Sequence, residues 1–207
     1  MSRRQLRRTL CVTATAIGSL ATATTSAGAA TAQEIAITNP AFLQPRVGPN
    51  NLLNNIGPND NRITGWRVLG ANVDIYGTTR AELTDGYQAV DLNGNNTGGI
   101  EQAVSVPAID AGPKTSVTIG FQAKNNNHPD CPKTTEQKFH VQFAEDPGDR
   151  VNFTVHTVTS PGPYRTWQHV TAQFNVVPGV RLLQFVSDNA GYCSALVTKV
   201  TASATRP

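Results

Sequence analysis

Apolar residues at every second position dominate the body of this chain. Val117, Ile119, Phe121 and Ala123 alternate with polar neighbours, and Phe139, Val141 and Phe143 do the same. So do Val151, Phe153 and Val155, and then Val170, Ala172, Phe174 and Val176. Successive side chains of a strand point to opposite faces, so this period gives each strand one apolar face; a helix needs a stripe at 3.6 instead. Shorter β-branched runs at 66–76, 87–92, 100–106, 180–187 and 195–202 are bounded by Gly, Pro, Asn or Asp. No window of a dozen residues holds a helical stripe. About nine or ten strands separated by turn signals predict an all-β, two-sheet β-sandwich of the jelly-roll kind.

Charge is unevenly placed. The chain has 17 Lys and Arg against 14 Asp and Glu, a formal +3. Four of the basic residues are Arg3, Arg4, Arg7 and Arg8; without them 13 basic residues face 14 acidic ones, a net of −1. The body therefore lacks the basic footprint of a nucleic-acid partner. Residues 1–8 read as a positive n-region, and Leu10 to about Ala23 as a mildly apolar h-region too short to span a membrane. Ala27-Gly28-Ala29 and Ala30-Thr31-Ala32 both fit the small-x-small cleavage rule. We expect 1–32 to be a cleaved signal peptide, 33–207 to be a single β-sandwich domain, and the protein to be secreted, an extracellular protein without a membrane partner. Ser2-Arg3-Arg4-Gln5-Leu6 resembles a twin-arginine export signal, which leaves the export route open. Cys11 opens the apolar run, whereas a lipoprotein cysteine would close it, so it is expected to leave with the peptide. No hydrophobic tail follows residue 202, so the protein is expected to be released or held only by what it binds.

In an oxidising compartment the remaining pair, Cys131 and Cys193, reads as a disulfide; two buried free thiols are the other reading. Residues 44–61 hold three Pro, two Gly and six Asn, long for a structureless loop. Asn125 to Asp130 forms a second polar loop leading into Cys131, and Pro161-Gly162-Pro163-Tyr164 a third.

No G-x-S-x-G or H-E-x-x-H motif is present. His140 and His156 alternate out of phase with the apolar residues of their strands and are expected to face solvent or a groove; no metal role is expected for these, for His128 or for His169. Asp74, Asp85 and Asp91 could supply paired carboxylates for glycoside hydrolysis, but the expected reading of each is an unpaired surface carboxylate. Asp91 to Thr97 suggests a calcium loop at first sight. An EF-hand needs Gly at its sixth position and Glu at its twelfth, where this chain has Asn96 and Gln102. The segment instead suits a tight turn between strands 87–92 and 100–106. Asn95-Asn96-Thr97 and Asn152-Phe153-Thr154 match the glycosylation acceptor pattern. Sugar binding on a sandwich calls for aromatic faces beside polar edges. Tyr76, Tyr87, Tyr164, Tyr192 and Trp167 are the aromatic candidates, with a core position as the other reading for Trp167; Trp66 is expected in the core.

The order of motifs resembles a known family. Asn39-Pro40-Ala41-Phe42 is followed by Gly65-Trp66-Arg67-Val68, by Val73 to Gly77, by Asp85-Gly86-Tyr87-Gln88-Ala89-Val90-Asp91-Leu92-Asn93-Gly94 and by Gly99-Ile100-Glu101-Gln102. Thr166-Trp167 and Phe185-Val186-Ser187 precede Cys193. Over most of 35–202 this is similar to secreted proteins of unassigned biochemical function from plant cell walls and bacterial choice-of-anchor C proteins. That resemblance implies a galactose-binding-like jelly roll related in shape to carbohydrate-binding modules, and Cys193 matching the family cysteine favours the disulfide. Two positions depart from the pattern. Leu43 stands for an acidic residue of the first strand and Thr198 for one of the last, the pair that often holds a structural calcium in domains of this shape. A hard cation needs anionic oxygens, so no calcium is expected there.

The reading that follows is a secreted, non-catalytic module binding a polysaccharide or other glycan of an envelope or cell wall, with no metal or other cofactor. Tyr87, Gln88, Asn125, Asn127, Tyr164 and Trp167 are the expected ligand-binding residues. An extracellular protein, such as a wall-modifying enzyme, is the alternative partner, and a hydrolase ranks third.

Overall fold

The computed structural model describes residues 32–109, 112–126, 128–129, 131, 137–144 and 166–206, with the backbone alone for 156–160. Residues 1–31 of the predicted signal peptide and the predicted strand at Val151, Phe153 and Val155 lie outside these residues. So do Asn127 and Tyr164.

The alternating segments form strands, as the period demands. There are twelve among the described residues: β1 (Gln33–Ile35), β2 (Leu52–Ile56), β3 (Arg67–Gly70), β4 (Val73–Tyr76), β5 (Ala89–Asp91), β6 (Gly98–Val106), β7 (Thr115–Lys124), β8 (Gln137–Ala144), β9 (His156–Ser160), β10 (Gln168–Val176), β11 (Gly179–Ser187) and β12 (Leu196–Thr205). They make two antiparallel sheets. Sheet A runs β10-β7-β12-β5-β4-β2, with β1 beside the far end of β12; sheet B runs β3-β6-β11-β8-β9. The chain is therefore an all-β, two-sheet sandwich. Among the described residues no helix is long and apolar enough to cross a membrane.

The inner faces carry the alternating residues. Val117, Ile119 and Phe121 of β7 meet Phe139 and Val141 of β8 and Phe185 of β11, all fully buried. On β10, Val170, Ala172, Phe174 and Val176 turn inward, while His169, Thr171, Gln173 and Asn175 are exposed. A chain of aromatic contacts, Phe42–Trp66–Phe185–Phe121–Phe139, crosses the core at centroid spacings of 5.2–6.2 Å. Such pairs add to plain area burial because ring edges meet ring faces. Trp66 sits in that core as expected, its indole N–H donating to the Asn39 carbonyl at 3.2 Å.

Two sequence expectations change. The strand count rises to twelve partly because the run at 66–76 breaks at Gly70: β3 joins sheet B and β4 joins sheet A. Gly70 adopts φ +66°, a conformation that suits glycine. The 44–61 segment is not structureless, because β2 pairs with β4 as an edge strand. Residues 92–97 form the expected tight turn, closed by the antiparallel Asn93–Thr97 bridge. They carry the chain from β5 in sheet A to β6 in sheet B.

Candidate ligand-binding cleft

The outward face of sheet A is polar at β10 and partly covered at β4 and β5. The segment between β4 and β5 lies over it, placing Ala81 and Leu83 against Tyr76, Ala89 and Leu196, with Leu52 and Trp167 packed alongside. Lys124, on this face of β7, is only 1% exposed under that segment and forms an ion pair with Glu82. Beyond the covered patch a cleft of about 180 Å³ opens over Asp74, Tyr76, Arg80 and Asp91 and is walled by Asn54, Asn95, His128 and Tyr192.

Strand register builds the floor. Tyr76 pairs with Ala89 and with Leu52, and Asp74 pairs directly with Asp91 across β4 and β5. Because side chains two apart share a face, Asp74 and Tyr76 both point into the cleft. The expectation of unpaired surface carboxylates is thus corrected for two of the three residues. Asp74 is 8% and Asp91 1% exposed. Only Asp85 stays at the surface, in an ion pair with Lys199.

Asp91 organises three loops. Its Oδ1 accepts the backbone N–H groups of Asn93 and Ser194, each at 2.9 Å, and its Oδ2 accepts the Asn126 amide at 2.7 Å. The same Asn126 amide group donates to the Tyr76 hydroxyl at 2.9 Å. Asn93 is also fully buried; its amide donates to the Asn189 and Gly191 carbonyls and its carbonyl oxygen accepts the Gly98 N–H. The Cys131–Cys193 disulfide joins the loops that carry His128 and Tyr192, as the sequence implied. Gly94 lets the 92–97 crossing approach the floor, since a Cβ there would lie 2.4 Å from the Asn72 side-chain oxygen and 2.9 Å from Asp74 Oδ1.

Arg80 supplies the cation of the cleft. Its guanidinium lies 5.4 Å over the Tyr76 ring and donates to His128 Nε2 at 2.7 Å. A guanidinium has no acceptor, so His128 must accept at Nε2 and carry its proton on Nδ1. The His128 ring meets Tyr76 edge-on at 6.5 Å. Asp74 Oδ1 accepts the Asn55 N–H at 2.7 Å, delivered by an irregularity in β2 where Asn55 takes φ +55°.

Burial controls the titration of this floor. It raises the Asp74 carboxyl above its ordinary value, against the Asn55 N–H and the Arg80 charge. It raises Asp91 well above the same value, with the Asp74 charge adding and the N–H donors opposing. It also lifts the Tyr76 hydroxyl to about 12, helped by the Asp91 charge. A carboxyl with a raised folded-state pKa contributes stability that is complete below the unfolded value and lost as pH rises through the folded value. The melting temperature should therefore fall as pH rises from 3.8 through the raised values of this pair. Asp60, held below its ordinary value by the Arg62 side chain, acts only at lower pH. Asp74→Asn should flatten the slope in a melting series, and an unchanged slope would contradict the role given to Asp74.

The sequence-selected residues divide. Asn125, next to Asn126 in the chain, does not line the cleft; it is half-buried, with its Oδ1 unpartnered among the described residues. Tyr87 is 37% exposed on a separate patch, its ring 4.9 Å under the Lys199 ammonium. Trp167 is half-buried against the covered patch and donates from Nε1 to the Ala81 carbonyl at 2.9 Å. Gln88 faces inward and is 2% exposed. Its Oε1 accepts the Val47 N–H, and its amide donates to the Phe42 and Pro45 carbonyls, so its polar atoms hold the 42–47 loop. Tyr76, one of the aromatic candidates, is 4% exposed and forms floor, not platform. His140 is half-buried and contacts Asp188 at 2.8 Å, not solvent alone. Leu43 is exposed, whereas Thr198 is buried with its hydroxyl donating to the Gln88 carbonyl at 2.6 Å. Among the described residues no cluster of three or more His, Cys, Asp or Glu is arranged to hold a metal ion.

Arg80, Asn93 and Asn126 were not selected from the sequence. Asn126 sits between two residues that were, and only its fold neighbours single it out. The run of three Asn before His128 was the signal; which of them turns inward was not readable.

No protein-family model matches the sequence, and no curated protein sequence does. In three dimensions the chain is similar to a cyclase from Fischerella sp. TAU, with a TM-score of 0.57 at 15% identity, over 84% of this chain and 98% of that one. It is also similar to the carbohydrate-binding module TmCBM61, solved with β-1,4-galactotriose, with a TM-score of 0.51 at 14% identity, over 80% and 95%. These likenesses show a shared sandwich. One neighbour is an enzyme and the other a binding module, so the fold leaves the function to the site.

Proposed function

We propose that this protein is a secreted, non-catalytic module that binds a glycan of an envelope or cell wall in the cleft over Asp74 and Tyr76. The observation that carries the reading is the convergence of short polar groups around aromatic rings. Asn54, Asn95, Arg80, His128 and Asp74 surround Tyr76, and Tyr192 projects beside them with 53% of its surface exposed. A pyranose presents apolar C–H faces and hydroxyl edges, and this arrangement offers both kinds of partner. The neighbour solved with a galactotriose supports the same use of this sandwich, as does the resemblance to secreted wall proteins.

The same geometry argues against glycoside hydrolysis. That chemistry needs two carboxyl groups that both reach the scissile bond. Asp91 accepts three N–H donors and is 1% exposed, so among the described residues Asp74 stands in the cleft as the one reachable carboxyl.

Depletion of the purified, oxidised protein by a panel of insoluble polysaccharides tests the reading. Tyr192→Ala should weaken retention at least tenfold, roughly 1.4 kcal/mol, with the melting temperature unchanged because the ring is largely exposed. Retention equal to wild type would remove Tyr192 from the site. A second reading, docking on an extracellular protein, is favoured by Leu43 and Tyr87, two large exposed side chains at 41% and 37%. It gains if every polysaccharide fails and Tyr87→Ala releases a wall-modifying enzyme.

A further inference from the structure

We propose that the outward face of sheet B carries a second glycan subsite, so that one chain holds two glycan segments on opposite faces of the sandwich. The proposal rests on the reading of the protein as a glycan-binding module and extends it. A cleft of about 380 Å³ opens on that face beside β3 and shares no lining residue with the first. Its floor is apolar, with Ala103 and Leu182 paired in register and Ile63 next to them. Asn61, Arg67 and Glu101 form its polar rim.

The rim is held by a hydrogen-bonded row across four neighbouring strands. Arg67, Glu101, Gln184 and Gln142 are aligned in register on β3, β6, β11 and β8. The Arg67 guanidinium donates to Glu101 Oε1, Gln184 Nε2 donates to Glu101 Oε2 at 2.8 Å, and Gln142 Nε2 donates to Gln184 Oε1 at 2.6 Å. Glu101, Gln184 and Gln142 are only 3%, 6% and 8% exposed, while the Arg67 side chain is 52% exposed. A buried carboxylate and two buried amides thus fix the plane of one accessible guanidinium at the edge of an apolar floor.

This arrangement selects its occupant. The Arg67–Glu101 pair has no net charge, so nothing in the rim draws an ionic ligand. Fixed donors and acceptors lower the ordering cost of binding hydroxyl groups. The apolar floor suits the C–H face of a sugar ring, and adjacent strands repeat at about 4.8 Å, close to the length of one pyranose in an extended chain. The ligand class is a neutral glycan. The sheets of a sandwich pack about 10 Å apart with their outer side chains diverging, so the two clefts cannot serve one short oligosaccharide.

The test is a calorimetric titration of the full chain with β-1,4-galactotriose, xylohexaose and cellohexaose as probes. Ala103 is exposed, so Ala103→Trp fills the second cleft without removing a member of the row; Arg67→Ala removes the accessible donor without filling it. We expect two sites per wild-type chain for at least one probe. Ala103→Trp and Tyr192→Ala should each leave one, their combination none, and Arg67→Ala should weaken the sheet B site at least tenfold. A single site lost in Tyr192→Ala and unaffected by both sheet B variants overturns the second subsite and leaves the first. A single site lost in the sheet B variants and kept in Tyr192→Ala supports the second face and overturns the first cleft. Wild-type protein that binds none of the probes overturns both.

Discussion

Asp91→Ala is expected to destabilise the native state by about 3 kcal/mol or more, since each buried donor left without a partner costs roughly 1–3 kcal/mol. Three donors lose this acceptor at once: the N–H groups of Asn93 and Ser194, which are left without a partner, and the Asn126 amide, which keeps only the Tyr76 hydroxyl. They belong to three separate loops, so none can recover a partner without moving another. For a domain of this size the melting temperature should drop by roughly 6–12 °C. Asp91→Asn keeps the shape and one acceptor oxygen. If that oxygen turns to the two backbone N–H groups, the new amide faces the Asn126 amide, donor against donor. Its cost should be nearer one lost hydrogen bond, about 1 kcal/mol. A thermal melt of both variants decides the matter: an alanine variant that melts with wild type would show that Asp91 does not tie the loops together.

Loss of the Cys131–Cys193 disulfide carries the other large effect. The bridge closes a span of 62 residues, and in the loop-entropy account restricting such a span in the unfolded chain is worth about 4 kcal/mol. Cys131→Ser with Cys193→Ser should lower the melting temperature by roughly 8–16 °C. The effect extends to binding, because the bridge links the loop carrying Asn126 and His128 to the loop carrying Tyr192 and Ser194. At a temperature where the double variant remains folded, glycan retention should fall further than in any single-residue variant of the cleft rim. Full retention with the expected loss of stability would confine the bridge to a role in the unfolded chain. An unchanged melting temperature would contradict the entropic argument itself.

The two effects meet in one place. Asp91 and the disulfide secure the same two loops, one through hydrogen bonds to their backbone and side chains and the other covalently. Variants this close share partners and are not expected to add.

What the sequence determined by itself was whatever depends on neighbours along the chain. The alternation of Val117 to Ala123 and of Val170 to Val176 identifies strands with one buried face, because the pleat has a period of two whatever the strand pairs with. Trp66 after Gly65 and the alternating apolar residues marked the core, and the two cysteines left after the first 32 residues marked a bridge. Contacts between distant segments were decided only by the tertiary structure. Asp74 and Asp91 read as separate surface acids until β4 and β5 paired and set them side by side under three loops. Gln88 was expected to bind ligand, but the fold turned it inward to hold the 42–47 loop. Among the asparagines before His128, position 126 alone reaches Asp91 and Tyr76 in the described residues. In each case the deciding quantity is register, and register is set where whole faces are buried against one another, which no local pattern of residues contains.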